Sequence, residues 1–226
     1  MVLKRVLGSE ESISRNVCAT SQHAFENAPG SVPKSALKNE LKKEPKRALR
    51  ATLLERREAL AEQVGYAALH TALATRLREA LERHAAHCVG FYWPVAGEFD
   101  AREVITRWLA EDTSREAALP VVVEPRAPMV FHAWRADAPM KEGRYRIPVP
   151  AEARVVVPDL LLIPCVGFDA DGYRLGYGGG YYDRTLAAWP GARRPVTLGI
   201  AFEACRCDAL PREAHDLPLD AIITEA

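Results

Sequence analysis

From residue 38 onward the apolar positions form two helical stripes followed by short unbroken apolar runs. Residues 38–63 carry Leu41, Leu49, Leu53 and Leu60 on one face, the spacing of an amphipathic helix. Lys46, Arg50, Arg56 and Arg57 fall largely off that stripe. Pro45 interrupts the pattern and predicts the true helix start there, since proline is favoured in a first helical turn. Residues 66–87 predict a second helix, with Leu69, Leu73, Leu77 and Leu81 four apart. The period then changes. Residues 88–93, 119–123, 129–134, 160–163, 196–202 and 221–224 read as strands, and residues 101–110 and 181–188 as helices. Apolar strands that do not alternate, interleaved with helices, predict an α/β fold. The expected architecture is a mostly parallel sheet covered by helices on both faces. It forms a single three-layer domain over residues 39–226, with an N-terminal helical pair. Residues 1–38 hold Ser, Asn, Gly, Pro and both charge signs without a period, and are expected to be a disordered or weakly ordered extension.

With 226 residues, 48% of them hydrophobic, the chain can bury one substantial core. Thirty basic residues balance thirty acidic ones, so net charge gives no pull toward nucleic acid or an anionic membrane. Glu40, Glu44, Glu55 and Glu58 interleave with the bases of the first helix, which weakens a polynucleotide-binding reading further. No run of about 18 apolar residues offers a membrane span, and no secretory signal pattern opens the chain. The five cysteines are odd in number and scattered, which fits a reducing compartment rather than a disulfide framework. Cys205-x-Cys207 is too closely spaced for a zinc knuckle and has no second ligand pair. Asp169-x-Asp171-Gly172 opens like a calcium loop but continues with Tyr173 and no terminal Glu, so a turn is expected.

The segment from Arg174 to Arg184, Arg-Leu-Gly-Tyr-Gly-Gly-Gly-Tyr-Tyr-Asp-Arg, carries the candidate chemistry. Its glycines let a ligand approach the main chain, and a run of them leading into a helix aims several N–H groups at one point. Arg174 and Arg184 offer planar donor forks to phosphate oxygens, and Asp183 is a hard oxygen ligand for magnesium. The P-loop pattern is absent. The dinucleotide fingerprint fails because Tyr181 stands where its third glycine belongs. On these residues alone, a small-molecule kinase or another nucleotide-using enzyme remains a competing reading.

Arg-Leu-Gly-x-Gly-x-Gly-Tyr-Tyr-Asp resembles the signature of the 5-formyltetrahydrofolate cyclo-ligase family. The likeness extends to Lys46-Arg-Ala-Leu-Arg50, to residues 91–98 ending in Glu98, to residues 143–150 and to residues 215–220, and so covers roughly residues 45–226. Some members place Lys in the glycine loop where this chain has Gly179. The resemblance implies an ATP- and magnesium-dependent conversion of 5-formyltetrahydrofolate to 5,10-methenyltetrahydrofolate. The formyl oxygen is phosphorylated, and the amine at folate position ten then displaces phosphate. It further implies that Lys46, Arg50, Arg174, Gly176, Gly178, Gly179 and Gly180, with Tyr181 and Tyr182, hold ATP. Glu98 meets the pterin, with Trp93 and Tyr181 or Tyr182 against its ring. Asp183 and either Asp216 or Asp220 serve magnesium, and Arg174 and Asp183 carry the catalytic role. His132 and His215 are not required by this chemistry. A cytoplasmic monomer whose partners are small molecules, with no nucleic acid or membrane, is expected.

Overall fold

The turn between the first two helices is set by one glycine. Helix α1 (Lys34–Ala61) is followed by Gly65, which takes φ 103° as the N-terminal cap of helix α2 (Tyr66–His84), a conformation open chiefly to glycine. The computed structural model describes residues 34–213 and 216–226, with side chains from residue 44 onward. Pro45 lies inside α1 rather than at its start. Residues 34–44 are mostly Lys, Glu, Leu and Ala, strong helix formers that extend the helix ahead of the proline. Most of the expected N-terminal extension, residues 1–33, lies outside the described residues.

Among the described residues, eleven strands follow in chain order: β1 (Cys88–Gly90), β2 (Glu116–Val121), β3 (Val130–Trp134), β4 (Met140–Glu142), β5 (Pro148–Pro150), β6 (Val155–Val156), β7 (Leu160–Pro164), β8 (Gly167–Phe168), β9 (Arg174–Leu175), β10 (Val196–Ile200) and β11 (Ala221–Ile223). Helix α3 (Arg102–Glu111) sits between β1 and β2, and helix α4 (Tyr181–Ala187) between β9 and β10. Seven strands make one sheet in the order β11-β10-β7-β1-β2-β3-β6. The run from β11 to β2 is parallel, while β3 and β6 are added antiparallel at one edge. The pairs β4–β5 and β8–β9 form separate hairpins.

Both sheet faces are buried, which explains the unbroken apolar runs. Leu160, Leu162, Leu198 and Ile200 pack with Leu73, Leu77 and Leu81 of α2 and with Ile105 and Trp108 of α3. Leu161 and Ile163 pack on the other side with Phe168, Leu219 and Leu186 of α4. The expected mostly parallel sheet covered on both faces is therefore observed. Strand β1 ends at Gly90, earlier than its apolar run suggests. The Phe91 N–H still reaches the Ala118 carbonyl at 2.9 Å, after which the chain leaves the sheet toward Pro94, which has no N–H to offer. The short strands β4, β5, β6, β8 and β9 span only two or three residues each, too few to print a period in the sequence.

The chain runs from β1 to β2 on one side, then returns to place β7 on the other. Chain order thus reverses between β1 and β7, and in open α/β sheets a crevice opens at the carboxyl ends of such strands. The loop carrying Glu98 follows β1, and the segment leading to the glycine loop follows β7.

Gly90 lies at the centre of this arrangement. A Cβ there would stand 2.5 Å from Leu161 Cδ2 and 2.9 Å from Pro158 Cγ. Gly90→Ala is expected to lower stability by about 1–3 kcal/mol through overpacking, read as a lower urea midpoint at unchanged slope.

Candidate functional site

One stripe of helix α1 builds one wall of the site. At 100° per residue, Lys46, Arg50, Leu53, Arg57 and Leu60 fall within an arc of about 80°. Leu53, Arg57 and Leu60 are buried, so the stripe faces inward. The basic positions at 46, 50 and 57 are therefore not a solvated face. Lys46 Nζ donates to Asp216 Oδ2 at 2.9 Å and to Glu213 Oε1 at 3.1 Å. Burial alone would lower the Lys46 pKa, but those two carboxylates outweigh it and hold the ammonium protonated. Arg50 Nε donates to the Gly176 carbonyl at 2.7 Å. Its Nη2 lies 3.3 Å from where a Cβ on Gly178 would stand, so a side chain at 178 would crowd the guanidinium.

The β8–β9 hairpin turns at Asp169, which is 2% exposed. Its carboxylate accepts N–H bonds from Asp171, Tyr173 and Leu210 and a guanidinium bond from Arg212. The calcium-like sequence is thus a turn, as expected. β9 then delivers Arg174, whose Nη2 donates to Asp183 Oδ1 at 2.5 Å. Beyond it the glycine loop curls, with Gly178 at φ 89° and Gly180 at φ 63° capping α4. Arg184 folds back and donates to the Gly179 carbonyl at 2.5 Å. Among the described residues, the N–H groups of residues 177–180 have no protein acceptor. The loop therefore offers a cluster of unpaired donors beside Arg50, an arrangement suited to phosphate oxygens.

Glu98 closes the other side. Its Oε2 accepts the Val95 N–H at 2.9 Å, while Oε1 is buried without a hydrogen-bond partner. Burial pushes its carboxyl up to about 7, against the opposing pull of the Val95 N–H, Arg57 and Tyr177. Arg57, 3% exposed, donates from Nη2 to Tyr177 Oη at 2.6 Å, and its Nε is also buried and unpartnered. The Tyr177 phenol is pushed up to about 12 by burial, with Glu98 adding to the shift. Tyr182 packs against the core, and burial and then Glu98 push its phenol well up as well.

The structure thus brings Lys46, Arg50, Gly176, Gly178, Asp216, Arg174 and Asp183 around the glycine loop and its anchors. It sets Tyr182 within electrostatic reach of Glu98. Tyr181 points elsewhere. Its hydroxyl meets that of Tyr145 at 2.6 Å, and its ring lies under Arg184. Trp93 lies beneath the Arg102 guanidinium, 4.4 Å from it, in a cleft with Trp134 and Met140. Asp220 is occupied by Thr197, accepting from its N–H at 2.7 Å and its hydroxyl at 2.6 Å. His132 is buried in β3 opposite Val155, far along the sheet from the β1–β7 crevice; His215 lies outside the described residues. No group of three metal-ligating side chains exists among the described residues, and Cys205 and Cys207 are free thiols. Arg57 and Tyr177 are the site residues that the sequence reading missed. The available signal was spacing: Arg57 stands eleven residues, three turns, beyond Lys46 on one stripe.

Residues 42–225 match the model of the 5-formyltetrahydrofolate cyclo-ligase family. The chain is 29% identical over 184 residues to a 5-formyltetrahydrofolate cyclo-ligase of Haemophilus influenzae, covering 78% of this chain and 92% of that one. It is 34% identical over 159 residues to the protein of the same name from Escherichia coli K12, covering 67% and 85%. The NMR structure of Aquifex aeolicus 5,10-methenyltetrahydrofolate synthetase superposes with a TM-score of 0.66 at 29% identity, over 80% of this chain and 89% of that one. A 5,10-methenyltetrahydrofolate synthetase from Mycoplasma pneumoniae gives 0.63 at 26% identity, over 80% and 99%.

The raised Glu98 pKa fixes a sign for stability. A carboxyl easier to protonate in the folded chain than in the unfolded one contributes stability below its unfolded pKa, and that contribution is lost as pH rises through about 7. Glu98→Gln is therefore expected to match the parent near pH 4 and to exceed it progressively up to a plateau above pH 7. The gain there should be on the order of 3 kcal/mol, read from urea midpoints of the free protein across pH.

Proposed function

The chain belongs to the 5-formyltetrahydrofolate cyclo-ligase family and is an ATP-dependent enzyme that converts 5-formyltetrahydrofolate to 5,10-methenyltetrahydrofolate, and we propose that the crevice between β1 and β7 is where it does so. The observation that carries this reading is the glycine loop: among the described residues the N–H groups of 177–180 have no protein acceptor, and Gly178 lies against the inward-facing Arg50. Such a cluster suits the polyphosphate of ATP, with Lys46, Arg50, Arg174 and the backbone of residues 176–180 as its holders.

Two of the proposed phosphate holders are paired with carboxylates, Lys46 with Asp216 and Glu213 and Arg174 with Asp183, while Arg50 bonds the Gly176 carbonyl. Phosphate oxygens would take over those cations and release the carboxylates. Asp183 and Asp216 then fit magnesium, because that ion takes one or two carboxylates and completes its shell with phosphate oxygens and water. Bound there, magnesium would neutralise charge on the transferring phosphoryl group.

Glu98 supplies the folate end. Its unpartnered Oε1 and its Val95-bound Oε2 form one carboxylate face that matches the amino group and ring N–H of the pterin. Tyr182, beside Glu98, is the better candidate of the two tyrosines for contact with the ring, and Tyr181 belongs to the loop mouth. The formyl oxygen then accepts the terminal phosphoryl group and ADP departs. The amine at position ten attacks the formyl carbon, its proton is lost, and phosphate leaves carrying the former formyl oxygen. No protein nucleophile is needed; positioning and charge neutralisation suffice. The described cysteines are free thiols, in keeping with a cytoplasmic setting.

Purified protein with ATP, magnesium and 5-formyltetrahydrofolate is expected to release one free phosphate per methenyl-folate formed, followed by absorbance; a phosphorylated product without free phosphate would instead mark a kinase. Chelation of the divalent cation should stop turnover. Arg50→Ala is expected to raise KM for ATP roughly tenfold or more through loss of a charged donor fork, with a much smaller change in KM for the folate.

A further inference from the structure

The two halves of the crevice meet at one side chain that the reaction as described leaves unused. Arg57 is buried on the inward stripe of α1. Its aliphatic stem runs under Gly97, where a Cβ would stand 3.8 Å from Arg57 Cγ. Ala96 and Gly97 are both left-handed, at φ 47° and 74°, a strained shape for the alanine that needs support from below. Its other end holds the Tyr177 hydroxyl of the glycine loop at 2.6 Å. That bond uses the oxygen of Tyr177 as acceptor and leaves its proton directed elsewhere, and Glu98 lies within its reach. A buried arginine with an unpartnered Nε and a buried glutamate with an unpartnered Oε1 are a costly combination unless each serves the other's charge.

We propose that Arg57 is a positioning residue for the folate: it braces the loop bearing Glu98 through Gly97, ties that loop to the glycine loop through Tyr177, and is the counter-charge that keeps Glu98 a carboxylate acceptor. The proposal rests on the reading of Glu98 as the pterin-binding group. The other groups facing Glu98 are the phenols of Tyr92, Tyr177 and Tyr182 and the thiol of Cys165. None of these four is cationic, so Arg57 is the positive charge set against Glu98's burial. Without it, Glu98 would protonate at a higher pH, lose one acceptor oxygen and release the pterin.

The test is the pH profile of kcat/KM for 5-formyltetrahydrofolate, which reports groups of the free enzyme. The parent should lose efficiency as pH falls below about 7, where Glu98 takes up a proton. Arg57→Gln is expected to move that limb upward by about one pH unit and to lower kcat/KM about tenfold at pH 7, with recovery toward pH 9. KM for ATP should change less than about threefold, the size of a minor local perturbation. Arg57→Lys keeps the charge and should leave the limb in place. An unmoved limb in Arg57→Gln, or a loss equal at every pH or equal for both substrates, overturns the proposal. If Arg57→Gln does not fold, Arg57→Lys decides: a limb displaced as far despite the retained charge overturns it equally. Glu98→Gln separates the two levels. It should abolish the limb, and if it leaves the profile unaltered the reading of Glu98 itself fails.

Discussion

A helix that turns charge inward is the constraint around which the rest of the site is arranged. Helix α1 presents Lys46, Arg50 and Arg57 on the same stripe as the buried Leu53 and Leu60. Cations in such a place are tolerated only with partners, and each finds one in a loop from a distant part of the chain. Lys46 meets Asp216, Arg50 meets the Gly176 carbonyl, and Arg57 meets Tyr177. The helix thereby fixes the relative positions of the glycine loop, the C-terminal segment and the loop bearing Glu98. Lys46 and Arg174 are each paired with a carboxylate, and on the proposed reading phosphate oxygens would exchange one set of charge partners for another.

The sheet makes that arrangement possible. Strand order reverses between β1 and β7, the place at whose carboxyl ends open α/β sheets bind ligands. The β8–β9 hairpin, locked by the buried Asp169, carries the chain from β7 to Arg174 and the glycine loop. The same Asp169 illustrates how a loop that looks like a cation site serves structure instead: its oxygens are consumed by backbone N–H groups and by Arg212.

Much of this was legible from residue order. Strands buried on both faces announced themselves as unbroken apolar runs, and α2 and α3 as regular stripes. What the sequence concealed follows from physical causes. Strands of two residues have no period to read. The extension of α1 ahead of Pro45 reflects helix-forming residues on both sides overriding one missing N–H. Arg57 looked like solvent-facing charge because hydropathy treats arginine as polar, whereas its long stem and planar head let it be buried between two loops. The distinction between Tyr181 and Tyr182 was likewise invisible. Adjacent residues on a helix point about 100° apart, and only the folded chain shows that Tyr182 lies within electrostatic reach of Glu98 while Tyr181 meets Tyr145.

The proposed chemistry requires that the formyl oxygen and the terminal phosphoryl group of ATP meet in this site, so that the oxygen leaves on phosphate. The most direct measurement uses 5-formyltetrahydrofolate labelled with heavy oxygen in the formyl group and mass analysis of the phosphate released in one turnover. One labelled oxygen is expected in each phosphate. Unlabelled phosphate, with the label appearing in water, would contradict it.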